Sequence, residues 1–76
     1  MNCPVNYDHL ISQGNLILEY YSDKFNSFCQ WYQIEKDGDT FEVLALSSKK
    51  EIIAVYNQDN LIFLIRGEEL NKKLLI

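Results

Sequence analysis

The dipeptide Asp37-Gly38 constrains the fold of this chain more than any other feature, because it separates two runs of alternating apolar and polar residues. Asp-Gly in that setting is the strongest short-range signal of a β-hairpin. Both residues tolerate the positive φ angles that a two-residue type I′ turn requires. The sequence therefore predicts a hairpin with one strand over residues 28–36 and the next over residues 39–46.

A two-residue loop also determines the register of the hairpin, because it sets every cross-strand pair. The predicted pairs are Lys36 with Asp39, Glu35 with Thr40, Ile34 with Phe41, Gln33 with Glu42, Tyr32 with Val43, Trp31 with Leu44 and Cys29 with Leu46. The pairs Ile34–Phe41 and Tyr32–Val43 form one apolar face, whereas the other face is polar near the turn and apolar further from it. Far from the turn, the hairpin is thus expected to have two apolar faces.

Two elements are predicted before the hairpin. Asn6 is suited to cap a short helix over residues 7–13, and Gly14 is suited to end it. Residues 15–22 are rich in β-branched and aromatic side chains, which favours a strand. One face of this strand is expected to carry Leu16, Leu18 and Tyr20.

Two further strands are predicted after the hairpin, over residues 51–56 and 61–66. The turn between them has two candidate tips, Asp59-Asn60 and Gln58-Asp59, and a slip of one residue exchanges the faces of the strand that follows. We prefer Asp59-Asn60 because both residues tolerate positive φ. The remaining predicted elements are a short helical turn over residues 67–70 and a last strand over residues 72–76.

The order of elements from Trp31 onward resembles that of a small SH3-like barrel. The resemblance rests on the segments WYQIEKDGDTFEVLAL and KKEIIAVYNQDNLIFLIRGEEL and covers residues 31–76. Barrels of this kind bind peptides, proteins or nucleic acids, or serve only as scaffolds. The expected fold class is mainly β or α+β, in a single domain over residues 1–76. It comprises a four- to five-stranded antiparallel meander, curled or SH3-like, with a short N-terminal helical turn.

The strands after the hairpin are apolar on both sides, which is typical of strands that are covered on both faces. A small barrel covers only its inner face, so the outer side chains need a cover. Two interpretations remain open: the termini of the chain cover them, or a second copy or a dedicated partner does. The residues predicted to bind protein are Tyr21, Cys29, Trp31, Leu44 and Leu46. Those expected in the core are Phe28, Tyr32 and Phe41.

The sequence contains no pattern that predicts catalysis or a metal site. His9 is the single histidine and lacks a nucleophile partner motif, and Cys3 and Cys29 do not have metal-ligand spacing. Both cysteines are expected as reduced thiols, with a disulfide between them as the alternative. We therefore expect a protein that is not an enzyme and holds no cofactor.

Eleven acidic residues outnumber seven basic ones, for a formal net charge of −4. That balance disfavours a surface that follows nucleic-acid phosphates. No apolar run approaches the ~20 residues of a membrane span. Residues 1–6 show no signal-peptide features, so a bacterial or viral cytoplasm is the expected location.

The preferred function is a small protein-interaction module that forms a homodimer or docks on a dedicated partner protein. One version of it is an acidic inhibitor or adaptor of phage or bacterial origin that covers a basic site on its target. The alternative is a nucleic-acid or small-ligand binder that uses the aromatic cluster of residues 20–32 as a stacking platform.

Overall fold

A computed structural model describes residues 3–64 as one helix and five strands. The elements are α1 (Tyr7–Gln13), β1 (Asn15–Ser22), β2 (Ser27–Lys36), β3 (Asp39–Leu46), β4 (Glu51–Asn57) and β5 (Asn60–Leu64). The strands form one antiparallel meander in the order β1-β2-β3-β4-β5, which confirms the predicted mainly-β fold class. Within residues 3–64 this sheet does not close into a barrel, so the SH3-like resemblance stays a prediction. The predicted turn at 67–70 and strand at 72–76 lie outside the described residues.

The hairpin between β2 and β3 has the predicted turn and the predicted register. Asp37 and Gly38 have φ angles of 51° and 84°, and Lys36 lies opposite Asp39. All the other predicted pairs, as far as Cys29 with Leu46, are confirmed. A β-carbon built on Gly38 would meet no atom within 4 Å, so the turn needs glycine for its backbone angle rather than for space.

Helix α1 is confirmed at both ends. The Asn6 side chain accepts a hydrogen bond from the His9 backbone N–H at 2.8 Å, which is the N-cap interaction. The Gly14 N–H donates to the Leu10 carbonyl at 2.7 Å and ends the helix. A β-carbon on Gly14 would lie 2.5 Å from that carbonyl oxygen, so a side chain would clash there. Leu10 is fully buried against the sheet and fixes the helix in place.

Strand β1 differs from its prediction because it contains a β-bulge. Leu16 lies opposite Tyr32 and Leu18 lies opposite Trp31, so Ile17 is an extra residue without a counterpart on β2. Tyr32 and Trp31 are adjacent in sequence and point to opposite faces of the sheet. The prediction that Leu16, Leu18 and Tyr20 share one face is therefore wrong, because the bulge moves Leu16 to the other side.

The turn between β4 and β5 is displaced by one residue from the preferred prediction. Gln58 and Asp59 have φ angles of 51° and 70°, and Asn57 pairs with Asn60. The preference for Asp59-Asn60 as the tip is therefore wrong. A bulge in β5 follows this turn and places Phe63 opposite the buried Val55, so cross-strand packing decides between two tips that local propensity allows.

We call the side of the sheet that carries α1 the helix-side face. Val5 and Leu10 from the N-terminal part pack over the middle of this face, and Lys36 Nζ donates a hydrogen bond to the Pro4 carbonyl at 2.5 Å. The buried sheet residues of this face are Tyr32, Ile34, Phe41, Val43, Ala45, Ile52 and Val55. The expected core positions of Tyr32 and Phe41 are thus confirmed.

We call the opposite side the far face, and it holds a second apolar cluster. Its buried residues are Cys29, Trp31, Leu44, Leu46, Ile53, Ala54 and Tyr56. The partly buried side chains packed against them are Leu18, Tyr20, Phe25 and Leu64. All five strands contribute to this cluster, and three bulges interrupt the ladders of the sheet. Because bulges bend strands and increase their twist, they favour a curled sheet whose far-face side chains meet.

Candidate docking edge at strand β1

Four of the five predicted protein-binding residues lie inside the chain. Cys29, Leu44 and Leu46 have no exposed surface and Trp31 is 3% exposed, so the exposure expected of them is wrong. Their apolar face packs into the far-face cluster, whose members lie in the five strands and in the β1–β2 turn at Phe25. Within residues 3–64 this face is therefore not covered by the N-terminal segment, as one of the two interpretations expected; the predicted C-terminal cover lies outside the described residues. Of the five residues, only Tyr21 is exposed to solvent, at 51%.

Strand β1 is the first strand in the order of the described sheet and pairs with β2. Among residues 3–64, no strand pairs with its other side. The backbone N–H and C=O groups along the free side of an edge strand provide a template for another strand. Long side chains beside such an edge then decide which segment binds.

Apolar side chains surround this free edge. We define the β1 edge patch as Leu16, Ile17, Tyr21 and Phe28, which are 50–55% exposed. Tyr21 lies opposite Phe28, and their ring centroids are 5.4 Å apart in an edge-to-face arrangement. The prediction that Phe28 belongs to the core is therefore wrong, because its stretch of the helix-side face lies away from the cluster under α1.

Hydrogen bonds hold the Tyr21–Phe28 pair in place near the Ser22 end of β1. The Tyr21 hydroxyl donates to Asn26 Oδ1 at 2.8 Å, and Asn26 itself sits in the turn with a φ of 53°. The Ser47 backbone N–H donates to the Phe28 carbonyl at 3.1 Å. Gln30 Nε2 donates to Glu19 Oε2 at 2.7 Å across the same pair of strands. These hydrogen bonds order the aromatic pair before a partner binds. Less side-chain entropy is therefore lost on binding.

A polar groove lies at the Asn15 end of β1. It has a volume of about 530 Å³, and its lining residues are His9, Gln13, Asn15, Gln33 and Glu35. Strand β1 begins at Asn15, opposite Gln33, whereas β2 continues to Lys36. The Glu35 position therefore lies beyond the start of β1, and the groove continues the line of the edge.

Two titratable side chains meet on the far face, the buried Cys29 and the partly buried Tyr20. Tyr20 is opposite Cys29, and burial together with the neighbouring Cys29 thiol raises the pKa of Tyr20 to about 12. Burial also raises the pKa of Cys29 above its ordinary value. Raised pKa values keep both groups neutral and the thiol unreactive. Cys3 packs against the helix-side cluster, so the two free cysteines lie on opposite sides of the sheet and do not form a disulfide.

Residues 3–64 contain no cluster of three or more histidine, cysteine, aspartate or glutamate side chains that could hold a metal ion. No helix within the same residues has both the length and the apolar character needed to cross a membrane. No protein-family model, curated protein or solved structure matches the chain.

The sequence missed Leu16, Ile17 and Phe28 as site residues for two reasons. The bulge at Ile17 has no local signal, and without it Leu16 is assigned to the wrong face. Alternation along β2 places Phe28 correctly on the face of Tyr32, but says nothing about how far α1 extends over that face. The available signal was the high apolar content of the first strand, which is unusual for an edge.

Proposed function

We propose that this chain is a small, non-enzymatic protein-interaction module that binds its partner along the free edge of β1. The observation that carries the proposal is the β1 edge patch beside a strand edge without a pairing partner in residues 3–64. Strand addition to such an edge is a recurrent mode of peptide recognition: backbone hydrogen bonds supply affinity, and alternate side chains supply specificity.

The distribution of exposed apolar side chains along one strand edge supports this function over an ordinary exterior. Single exposed apolar residues are normal and need no explanation. Here, four of the six exposed large apolar side chains in residues 3–64 belong to the β1 edge patch, and the other two are Ile11 and Leu61. Exposed apolar side chains that collect in one region of a small protein often mark binding sites.

The proposal places the module in the cytoplasm, and its two free thiols support that location. The net charge of −4 favours partners with basic surfaces, including the target of an inhibitor or adaptor of phage or bacterial origin.

Nucleic-acid binding by the aromatic pair is less well supported than protein binding. Stacking platforms for single strands lie in positively charged grooves. Beside Tyr21 and Phe28 the charged side chains include Glu19 and Asp23, and the Lys24 ammonium lies 5.6 Å from the centre of the Phe25 ring.

The proposal is tested by selection from a random-peptide display library on the wild-type chain. We expect extended peptides to be enriched, and Ile17→Asp to weaken their binding at least about tenfold, since a charge in a docking surface disfavours apolar partners. Leu61→Asp is the matched control, because Leu61 is an exposed apolar residue of β5, the last strand at the other side of the sheet formed by residues 3–64. Circular dichroism checks that both variants fold.

Enriched peptides that bind Ile17→Asp as tightly as the wild type would move the site away from β1. Failure to enrich any peptide above background, together with a wild type that sediments as a single chain, would remove the proposed function.

A further inference from the structure

We propose that the partner is an extended segment of a different protein that pairs antiparallel with β1 and carries lysine or arginine at its C-terminal end. That cationic side chain enters the polar groove beside Glu35. The inference rests on the proposed function and adds the chemistry and direction of the segment that the edge binds.

The charges along the edge favour a cationic partner. Glu19 is the only charged residue of β1, and Glu35 is the only carboxylate that lines the groove. One carboxylate on each of β1 and β2 therefore lies near the edge, in a chain with a net charge of −4, while the Lys36 ammonium at the end of β2 donates to the Pro4 carbonyl. Complementary charges steer a partner to the site and fix its register.

The same charges disfavour a second copy of the chain as the occupant. Two antiparallel β1 strands related by a twofold axis would place residues of the same face opposite each other. On the helix-side face of β1 these residues are Leu16, Glu19 and Tyr21, as their partners on β2 show. Glu19 would then meet an apolar residue or a second Glu19, and β1 offers no cation to neutralise it.

The position of the groove gives the direction of the bound segment. Every pair of neighbouring strands in the sheet is antiparallel, and antiparallel pairs are slightly more stable per residue than parallel ones. Because β1 starts at the groove with Asn15 and ends at Ser22, an antiparallel segment runs towards the groove and its C-terminal end arrives there.

The groove suits a long cationic side chain. Gln13, Asn15 and Gln33 provide amide oxygen atoms that accept hydrogen bonds from ammonium or guanidinium groups, and Glu35 supplies the charge. Its volume of about 530 Å³ admits a side chain that crosses from a strand outside β1 towards β2. The Tyr21–Phe28 pair, at the other end of the edge, receives an apolar side chain from the N-terminal part of the segment.

The test uses three peptides of about nine residues with alternating valine and threonine and blocked ends. One ends in arginine, one begins with arginine, and one ends in glutamine. Binding is followed by NMR titration of the ¹⁵N-labelled full chain, which gives both the affinity and the amides that respond. We expect the peptide ending in arginine to shift amides of residues 15–22 and to bind about tenfold tighter than either of the others.

Two variants isolate the groove. Glu35→Gln is expected to weaken binding of the peptide ending in arginine about five- to tenfold and to leave the glutamine peptide unchanged. Asp59→Asn is the matched control, since it removes one negative charge at the β4–β5 turn. Fold retention is checked from the dispersion of the same spectra.

The remaining outcomes separate this inference from the proposed function. If all three peptides bind β1 with equal affinity, or Glu35→Gln has no effect, the cationic end is wrong and edge binding stands. If none binds and the wild type sediments as a dimer that Ile17→Asp dissociates, the occupant is a second copy and this inference is overturned. If none binds and the wild type is a monomer, the inference is overturned and the display selection decides the proposed function.

Discussion

Ile17 inserts one residue into β1 that β2 does not match, and this insertion decides which side chains of the edge face solvent. With regular pairing, Leu16 would follow Leu18 and Tyr20 onto the far face, where apolar side chains are buried. The bulge instead leaves Leu16 and Ile17 more than half exposed on the edge. A single extra residue thus produces part of the β1 edge patch, and bulges at sheet edges often re-aim side chains in this way.

The raised pKa values of Tyr20 and Cys29 predict that the fold loses stability at alkaline pH. The pKa of Tyr20 in the folded chain is about 12, above its ordinary value of 10, and burial also raises the pKa of Cys29. Above pH 9 to 10 the unfolded chain releases these protons first, so it binds fewer protons than the folded chain. The contribution of these two groups to the free energy of unfolding is therefore expected to be fully present below this range and to be lost as pH rises towards 12.

Urea midpoints measured between pH 8 and 12 check this dependence. Tyr20→Phe serves as the control, because it removes the hydroxyl and keeps the ring. The midpoint of this variant should fall less steeply with pH than that of the wild type. The remaining slope is due to Cys29 and Tyr32, because burial raises the pKa of both groups. Identical slopes for the two proteins would show that the Tyr20 hydroxyl is not desolvated in the fold.

At the scale of elements, the hairpin and the helix could be predicted because their signals are local. Asp37-Gly38 determines the β2–β3 register, and Asn6 with Gly14 determines the ends of α1. The bulge at Ile17 and the Gln58-Asp59 turn could not be predicted, because cross-strand packing selects them. The candidate site depends on that bulge and on how far α1 covers the sheet, so only Tyr21 was found from sequence.

The β2–β3 turn gives a test of the hairpin as an element. Gly38→Val is expected to destabilise the chain by about 1 kcal/mol or more, because a β-branched residue is strained at a φ of 84°. Added volume does not contribute, since no atom lies within 4 Å of the new β-carbon. Urea denaturation measures the loss, and an unchanged midpoint would mean that this turn is not formed as described.

Asp37→Asn is the matched control for the turn. Asp37 has a φ of 51°, which asparagine tolerates as well as aspartate does, so little change in stability is expected. A large loss in this variant would assign the effect at Gly38 to something other than backbone strain.

At the scale of the whole molecule, residues 3–64 bury one apolar cluster on each face of the sheet. The helix-side face lies under α1 and the N-terminal segment, and the far face packs side chains from all five strands together. A chain of 76 residues buries only about 60% of the surface of its unfolded form, so some apolar side chains remain exposed to solvent. Within residues 3–64, four of the six exposed large apolar side chains belong to the β1 edge patch, where a partner segment would cover them.

The central claim is that a single chain buries the far face and leaves the β1 edge for partners. Trp31 reports on this directly, because it is the only tryptophan and is 3% exposed in the far-face cluster. The measurement is acrylamide quenching of Trp31 fluorescence, at a protein concentration where sedimentation gives the mass of one chain. We predict a quenching constant several-fold below that of a free tryptophan amide. A constant equal to that of the free amide would show that the far face is open in the monomer, and would contradict the account.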